Sequence, residues 1–169
     1  MQFYLCPESG PEVFFTVYDE KERPAYEVTA CGTAVGRRFL LRAPDGTPAA
    51  RMTAVFLPAC LRCAVTDGRR HFRVWIAPDA SMHRSVRLKG IPWRFRGNLS
   101  TRSFDIVTEA PRKGDASRTV MTHGRCWSGP RGSYAVEVFS ASDVPLALCV
   151  AAAIDSFSQS SCTSPVPAG

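Results

Sequence analysis

Hydrophobic and polar residues alternate along most of this chain, as is typical of β-strands with one buried face. Phe72, Val74 and Ile76 share one face of such a segment, while Arg73 lies on the other. The same period of two continues in residues 86–89 and 93–96, where apolar residues oppose arginine and lysine. The pattern predicts strands with an apolar inner face and a basic outer face.

Other segments rich in β-branched and aromatic residues predict further strands, with turn residues between them. They are residues 13–18, 37–42 and 134–139. Asp45-Gly46 and Asp67-Gly68 are hairpin-turn dipeptides, because glycine tolerates a positive φ. Short antiparallel strands joined by regular turns predict a meander of about a dozen strands that forms a barrel or sandwich.

Residues 144–154 break this pattern, because they carry no polar or charged side chain apart from the thiol of Cys149. A helix that is apolar on every side must lie inside protein or lipid. Crossing a bilayer takes about 20 apolar residues, more than this segment has. We therefore predict a buried central helix surrounded by strands, and its core positions are Leu146, Leu148, Val150 and Ile154.

Acidic residues border this helix on both sides. Asp143 is a suitable N-cap, and Pro145 follows in the first turn, where its missing N–H is not needed. Asp155 opposes the helix dipole near the C-terminal end. We expect Asp155 to lie at the mouth of the barrel, paired with an arginine or with backbone N–H groups.

The length of 169 residues indicates one domain over residues 1–157. Residues 158–169 are rich in Ser and Pro and predict a disordered tail. We find no signal peptide and no membrane-spanning segment. The seven cysteines are scattered, which favours reduced thiols in a cytoplasmic protein. Cys60 and Cys63 form a lone CxxC, which we interpret as part of an apolar strand and not as a zinc site.

The net charge of +6 is unevenly distributed. Residues 69–102 contain nine Lys or Arg and one acid, Asp79. Such a field can attract anionic lipid headgroups or nucleic acid, or can be only the solvated exterior of a sheet. The candidate lipid-binding residues are Arg73, Arg84, Arg87, Lys89, Arg94 and Arg96.

Three parts of the chain resemble the tubby-like barrel family, and most closely the LURP-one-related proteins and their bacterial YxjI-like relatives. Residues 15–19 and 24–28 resemble the opening hairpin of that family, and residues 93–97 followed by 104–106 resemble its central strand–Gly–strand unit. Residues 134–138 followed by 143–155 resemble its ending, where the last strand leads into the central helix and an Ile-Asp pair.

The resemblance implies an all-β fold with one central helix: an antiparallel closed barrel of about twelve strands that encloses a hydrophobic C-terminal helix. Tubby proteins bind phosphoinositides through basic residues on the barrel exterior, and the phospholipid scramblases are thought to share the fold. The resemblance implies function only loosely, since one fold can carry several functions. No ligand residue is transferred by motif.

We expect no enzyme, no cofactor and no metal site. His71, His83 and His123 lie apart in sequence, no nucleophile elbow or P-loop is present, and no pair of carboxylates is spaced for acid–base chemistry. A helix that fills the barrel also removes the cavity that a lipocalin-like carrier needs.

Three functional hypotheses remain open. The first is a cytoplasmic monomer, peripheral at membranes, that binds anionic phospholipid such as phosphoinositide through the basic residues. The second is a structural or protein-interaction barrel without a lipid role, and scramblase-related activity is a further alternative. The third, nucleic-acid binding, is disfavoured because Phe72, Trp93 and Phe95 face inward, which leaves only Trp75 on the basic face.

Overall fold

The computed structural model describes residues 1–8, 13–33, 35–57, 59–78, 84–110, 116–126 and 133–160. The described residues form twelve strands, a short 3-10 turn at Ala141–Asp143 and one helix, α1 (Val144–Ser160). The strands are β1 (Gln2–Pro7), β2 (Val13–Asp19), β3 (Pro24–Gly32), β4 (Gly36–Arg42), β5 (Pro48–Leu57), β6 (Cys60–Thr66), β7 (His71–Pro78), β8 (Arg84–Lys89), β9 (Trp93–Asn98), β10 (Ser103–Thr108), β11 (Thr119–Arg125) and β12 (Tyr134–Val138).

All twelve strands belong to one antiparallel sheet, in the order β8-β7-β6-β5-β4-β3-β2-β1-β12-β11-β10-β9. Consecutive strands are neighbours except β8 and β9, and β1 pairs with β12, which joins the first and the last strand inside the sheet. Gly46 and Gly68 adopt positive φ in the predicted hairpin turns. The sheet curls around α1 into a nearly closed barrel, which confirms the predicted fold class.

The interior of the barrel is filled by the inward residues of the strands and by α1. Leu146, Leu148, Val150 and Ile154 have no exposed surface, although they lie on different sides of the helix. A helix that is buried on every side needs an apolar residue at each of these positions. The strands contribute large buried residues in alternation, and Phe15, Leu41, Met52, Phe72 and Ile76 are among them.

The helix begins at Val144, directly after Asp143, as predicted, and it ends further along the chain than predicted. The helix ends at Ser160, so residues 158–160 of the predicted tail are helical, while residues 161–169 lie outside the described part. Asp143 directly precedes the helix, and its carboxylate Oδ1 accepts a hydrogen bond from Arg70 Nη1 at 2.6 Å. Arg70 Nε also donates to Asp67 Oδ2 at 3.0 Å. Arg70 therefore ties the β6–β7 turn to the start of the helix.

The barrel is nearly closed, and the opening among its described strands lies between β8 and β9. β8 and β9 form the two ends of the strand order, and each is hydrogen-bonded to a neighbour on one side only. Gly90, at a φ of 93°, and Pro92 lie in the connection between them. Pro92 has no N–H, and its carbonyl accepts from the N–H of Glu109 at 2.8 Å, which draws the start of β9 toward β10. The start of β9 is therefore held against β10, and a gap without backbone pairing, which we call the seam, remains between β8 and β9.

Candidate functional site

The seam between β8 and β9 is flanked by several cations. Strand edges without a partner present backbone N–H and C=O groups to solvent. A cavity of about 540 Å³ lies along the seam, and four of its lining residues carry positive charge. We call these four residues the basic seam: Arg87 and Lys89 on β8, and Arg94 and Arg96 on β9.

The alternation of each strand explains why these cations point outward. Val86 and Trp93 are buried in the barrel, so the residues that follow them in the alternation face solvent. Gly97 ends the regular part of β9 with a φ of 136°, and a Cβ there would lie 2.6 Å from the Cα of Phe104. Only glycine lets β9 approach β10 this closely.

The acids near the basic seam are few and exposed. Glu109 is the one acid among the described residues that line the cavity, and its Oε1 lies 3.8 Å from Arg94 Nε. Both side chains are more than half exposed, so this ion pair is worth little. Asp105 lies opposite Arg96 in the β9–β10 register. Positive charge therefore exceeds negative charge in the cavity.

The other two candidate residues lie beside the basic seam. Arg84 lines an adjacent cavity of about 560 Å³, and its guanidinium carbon lies 4.8 Å from the ring centroid of Phe157. Arg73 on β7 lies directly opposite Lys89 in the register. Like charges directly opposite each other destabilise a sheet. The Arg73–Lys89 pair therefore does not stabilise the barrel.

A second group of ionisable residues, missed in the sequence, lies inside the barrel. His123 on β11 and Asp155 on α1 are fully buried, and His123 Nε2 lies 3.0 Å from Asp155 Oδ2. The prediction that Asp155 lies at the barrel mouth beside an arginine or backbone N–H groups is wrong. The position of Asp155 around the helix axis directs its carboxylate toward β11. There the inward-facing residue is His123.

The number of protons on the His123–Asp155 pair follows from the atoms that contact the imidazole. His123 Nδ1 lies 2.9 Å from the carbonyl oxygen of Arg102, and a carbonyl can only accept, so Nδ1 carries hydrogen. The contact between Nε2 and Oδ2 needs one further proton between those atoms. Whichever atom holds it, the pair has no net charge. Neutrality as a pair is what allows its complete burial.

Aromatic rings and an unusual backbone conformation hold the imidazole in place. The His123 ring stacks between Phe104, at a centroid distance of 4.3 Å, and Tyr134, at 5.2 Å. Arg102 adopts a left-handed φ of 53°, which directs its carbonyl to the imidazole, and its guanidinium donates to the Tyr134 hydroxyl. The pair is inaccessible to solvent, so we interpret it as a structural anchor of the helix.

The chain matches a known protein family over most of its length. The model of the family described as LURP-one-related matches residues 12–155. The chain belongs to the LURP-one-related family. The X-ray structure of a protein from Arabidopsis thaliana is similar to this LURP-one-related chain, with 16% identity, a TM-score of 0.57, and coverage of 93% of this chain and 91% of the other. At this identity the likeness shows the fold alone. No curated protein matches.

Other candidate chemistry of this LURP-one-related protein is weaker. Burial raises the pKa of Cys63 to about 12, so the thiol of the CxxC stays protonated and is a poor metal ligand or nucleophile. The described residues include no group of three His, Cys, Asp or Glu that could hold a metal ion. His71 is exposed on β7, and His83 lies outside the described residues. In the same part of the chain, no helix combines the length and apolarity that a membrane crossing requires.

Proposed function

We propose that this LURP-one-related protein is a non-enzymatic barrel that binds the anionic surface of phospholipid membranes, phosphoinositide headgroups in particular, through its basic seam. The observation that carries the proposal is the convergence of Arg87, Lys89, Arg94 and Arg96 on one cavity of about 540 Å³. A cavity with four cations and one exposed acid is complementary to a headgroup with several phosphates.

The magnitudes support reversible binding. Near an anionic membrane each Lys or Arg contributes about 1 kcal/mol. Four cooperating side chains therefore suffice for peripheral attachment without a covalent anchor. Arginine forks can bind a phosphate in a bidentate manner, and unpaired N–H groups along β8 and β9 are further donors. Because the four side chains are exposed, their attraction to lipid should weaken as salt is added.

Vesicle flotation tests the proposal. The protein is mixed with phosphatidylcholine vesicles, with and without phosphatidylinositol bisphosphate, at low and high salt. We expect flotation only with the anionic lipid, and less of it at high salt. The triple variant Lys89→Gln/Arg94→Gln/Arg96→Gln should lose most of the bound fraction. Absence from the lipid fraction with both vesicle types at low salt would overturn the proposal.

A matched variant controls for net charge. Lys21, Arg38 and Arg51 are exposed on the β2–β5 part of the barrel, away from the seam. Lys21→Gln/Arg38→Gln/Arg51→Gln removes the same residue types, one lysine and two arginines. It should float like the wild type. Equal loss of flotation in both triple variants would mean that overall charge, and not the basic seam, attracts the lipid.

A second candidate function, protein interaction, is favoured by one observation. The unpaired edges of β8 and β9 could accept an extended segment of another protein as an additional strand. The basic side chains on both edges would select an acidic segment. If the protein fails to float but binds an acidic peptide through β8 and β9, this second function replaces the first.

A further inference from the structure

The outer face of β5 to β8 carries an apolar patch beside the basic seam. The register places Val55 opposite Arg62, Arg62 opposite Trp75, and Trp75 opposite Arg87. These residues form a row across four strands on the outside of the barrel. Trp75 is 37% exposed and Val55 is 40% exposed. A half-exposed indole between two arginines is therefore the centre of this row.

Small side chains beside Trp75 create a groove in the outer face. Thr53 and Ala64 occupy the next row of the register, beside Arg73. Because these two side chains are short, a cavity of about 450 Å³ opens between them and Trp75. The Arg62 guanidinium carbon lies 4.6 Å from the centroid of the Trp75 ring. We call this cavity the Trp75 groove.

The chemistry of the Trp75 groove matches the boundary between lipid headgroups and acyl chains. Tryptophan is enriched at membrane–water interfaces, where its ring is partly buried and its N–H stays hydrated. Arginine can bury its aliphatic stem there while its charge stays at the phosphates. The described residues that line the groove include three cations, Arg62, Arg73 and Lys89, and no acid. The groove is thus apolar at its floor and cationic at its rim.

We propose that the Trp75 groove inserts into the interfacial region of the anionic bilayer on which the basic seam docks. This inference rests on the proposed function and adds a hydrophobic contact to it. The groove and the seam are continuous, since Lys89 belongs to both and lies opposite Arg73. They occupy β5 to β8 and, across the seam, β9, so one membrane surface can contact both.

Tryptophan fluorescence of the full chain tests the insertion. Vesicles that contain phosphatidylinositol bisphosphate should shift the emission to shorter wavelength, and brominated acyl chains near the headgroups should quench it. Trp75→Phe serves as the reference, because the signal lost in this variant belongs to Trp75. Soluble inositol phosphate forms a separate arm, and it should produce no such shift because it offers no apolar phase.

Partitioning supplies the second measurement. Trp75→Ala should bind anionic vesicles about tenfold more weakly than the wild type, since the exposed part of a large aromatic ring would no longer be buried. The loss should persist at high salt, unlike that of the seam variant. Phe139→Ala is the matched control, because Phe139 is an aromatic residue exposed elsewhere, at 53%. It should bind as the wild type does.

The outcomes separate the two proposals. Flotation without any Trp75 shift or quenching, or equal partitioning by Trp75→Ala and the wild type, would overturn the insertion and leave the docking by the seam intact. A shift produced equally by soluble inositol phosphate would also overturn insertion, because it would indicate a headgroup contact alone. A lack of flotation would overturn the proposed function and the insertion with it.

Discussion

The barrel holds charge in two regions that differ in almost every physical respect. Inside, His123 and Asp155 form one pair that is fully buried, neutral as a unit and enclosed by aromatic rings. Outside, the basic seam places four cations of the same sign around one solvent-filled cavity. The inner pair has no net charge, whereas the outer group keeps an excess of positive charge beside the exposed Arg94–Glu109 ion pair. We therefore expect the stability of the barrel to depend on the inner region and the proposed lipid binding to depend on the outer one.

The largest effect should follow from placing a charge on the enclosed helix. Val150→Asp and Ala152→Asp lie about 200° apart around the axis of α1, and both positions are buried. An unpaired buried carboxylate costs several kcal/mol or more, a large part of the stability of a domain. We expect loss of soluble expression, or of a cooperative thermal transition, for each variant.

The control for these variants uses the same chemistry at an exposed position. Ala110 follows β10 and is exposed, so Ala110→Asp should melt like the wild type. A helix with one solvent-facing side would tolerate a charge at one of the two buried positions. A cooperative melt retained by either Val150→Asp or Ala152→Asp would contradict the enclosure of the helix.

A smaller effect should follow from breaking the inner pair. Asp155→Leu removes one partner and leaves His123 buried beside an apolar side chain, and breaking a buried pair in this way costs about 3–5 kcal/mol. Urea unfolding measures the change in free energy. The double variant His123→Phe/Asp155→Leu should be less destabilised than the sum of its two single variants, because both polar groups are then removed together. Additive single changes would mean that the two residues do not act as a pair.

The smallest effect on stability should be that of the outer region. Lys89→Gln/Arg94→Gln/Arg96→Gln should change the free energy of unfolding by no more than about 0.5 kcal/mol, or increase it slightly, since like charges are removed from exposed positions. Urea unfolding of this triple variant and of Lys21→Gln/Arg38→Gln/Arg51→Gln checks the difference. A loss of stability well above that value, for the seam variant alone, would show that the outer region is structural after all.

Local pattern predicted most of the barrel wall and its filling. The alternation of residues 72–76 and 93–96 indicates a strand and also its buried face, because the period of two relates each residue to its neighbours in the chain. The uniform apolarity of residues 144–154 indicates an enclosed helix in the same way. These features depend on separations of a few residues, and for that reason they can be read from a sequence.

The pairings between distant elements could not be predicted. His123 and Asp155 are 32 residues apart, and their contact depends on the register of β11 and the rotation of α1 together. Arg70 and Asp143 are 73 residues apart. The sequence places Arg70 in the basic segment 69–102, and only the structure shows that it binds an acid at the start of the helix. The Ile-Asp pair at the end of the helix and a histidine on the inner face of a strand each indicate a polar residue in the core. No local pattern indicates that the two residues contact each other.

The pairing of β1 with β12 has a consequence for the order of folding. Phe3 lies opposite Val136, so the first strand waits for more than a hundred residues to be synthesised before that neighbour exists. The helix that fills the interior comes later still, after β12. A nascent chain thus holds an incomplete sheet with its apolar face uncovered until β12 and α1 leave the ribosome. Contacts of such long range slow folding and expose the chain to aggregation. We therefore expect folding of this barrel during synthesis to depend on chaperones more than folding of a protein with mainly local contacts.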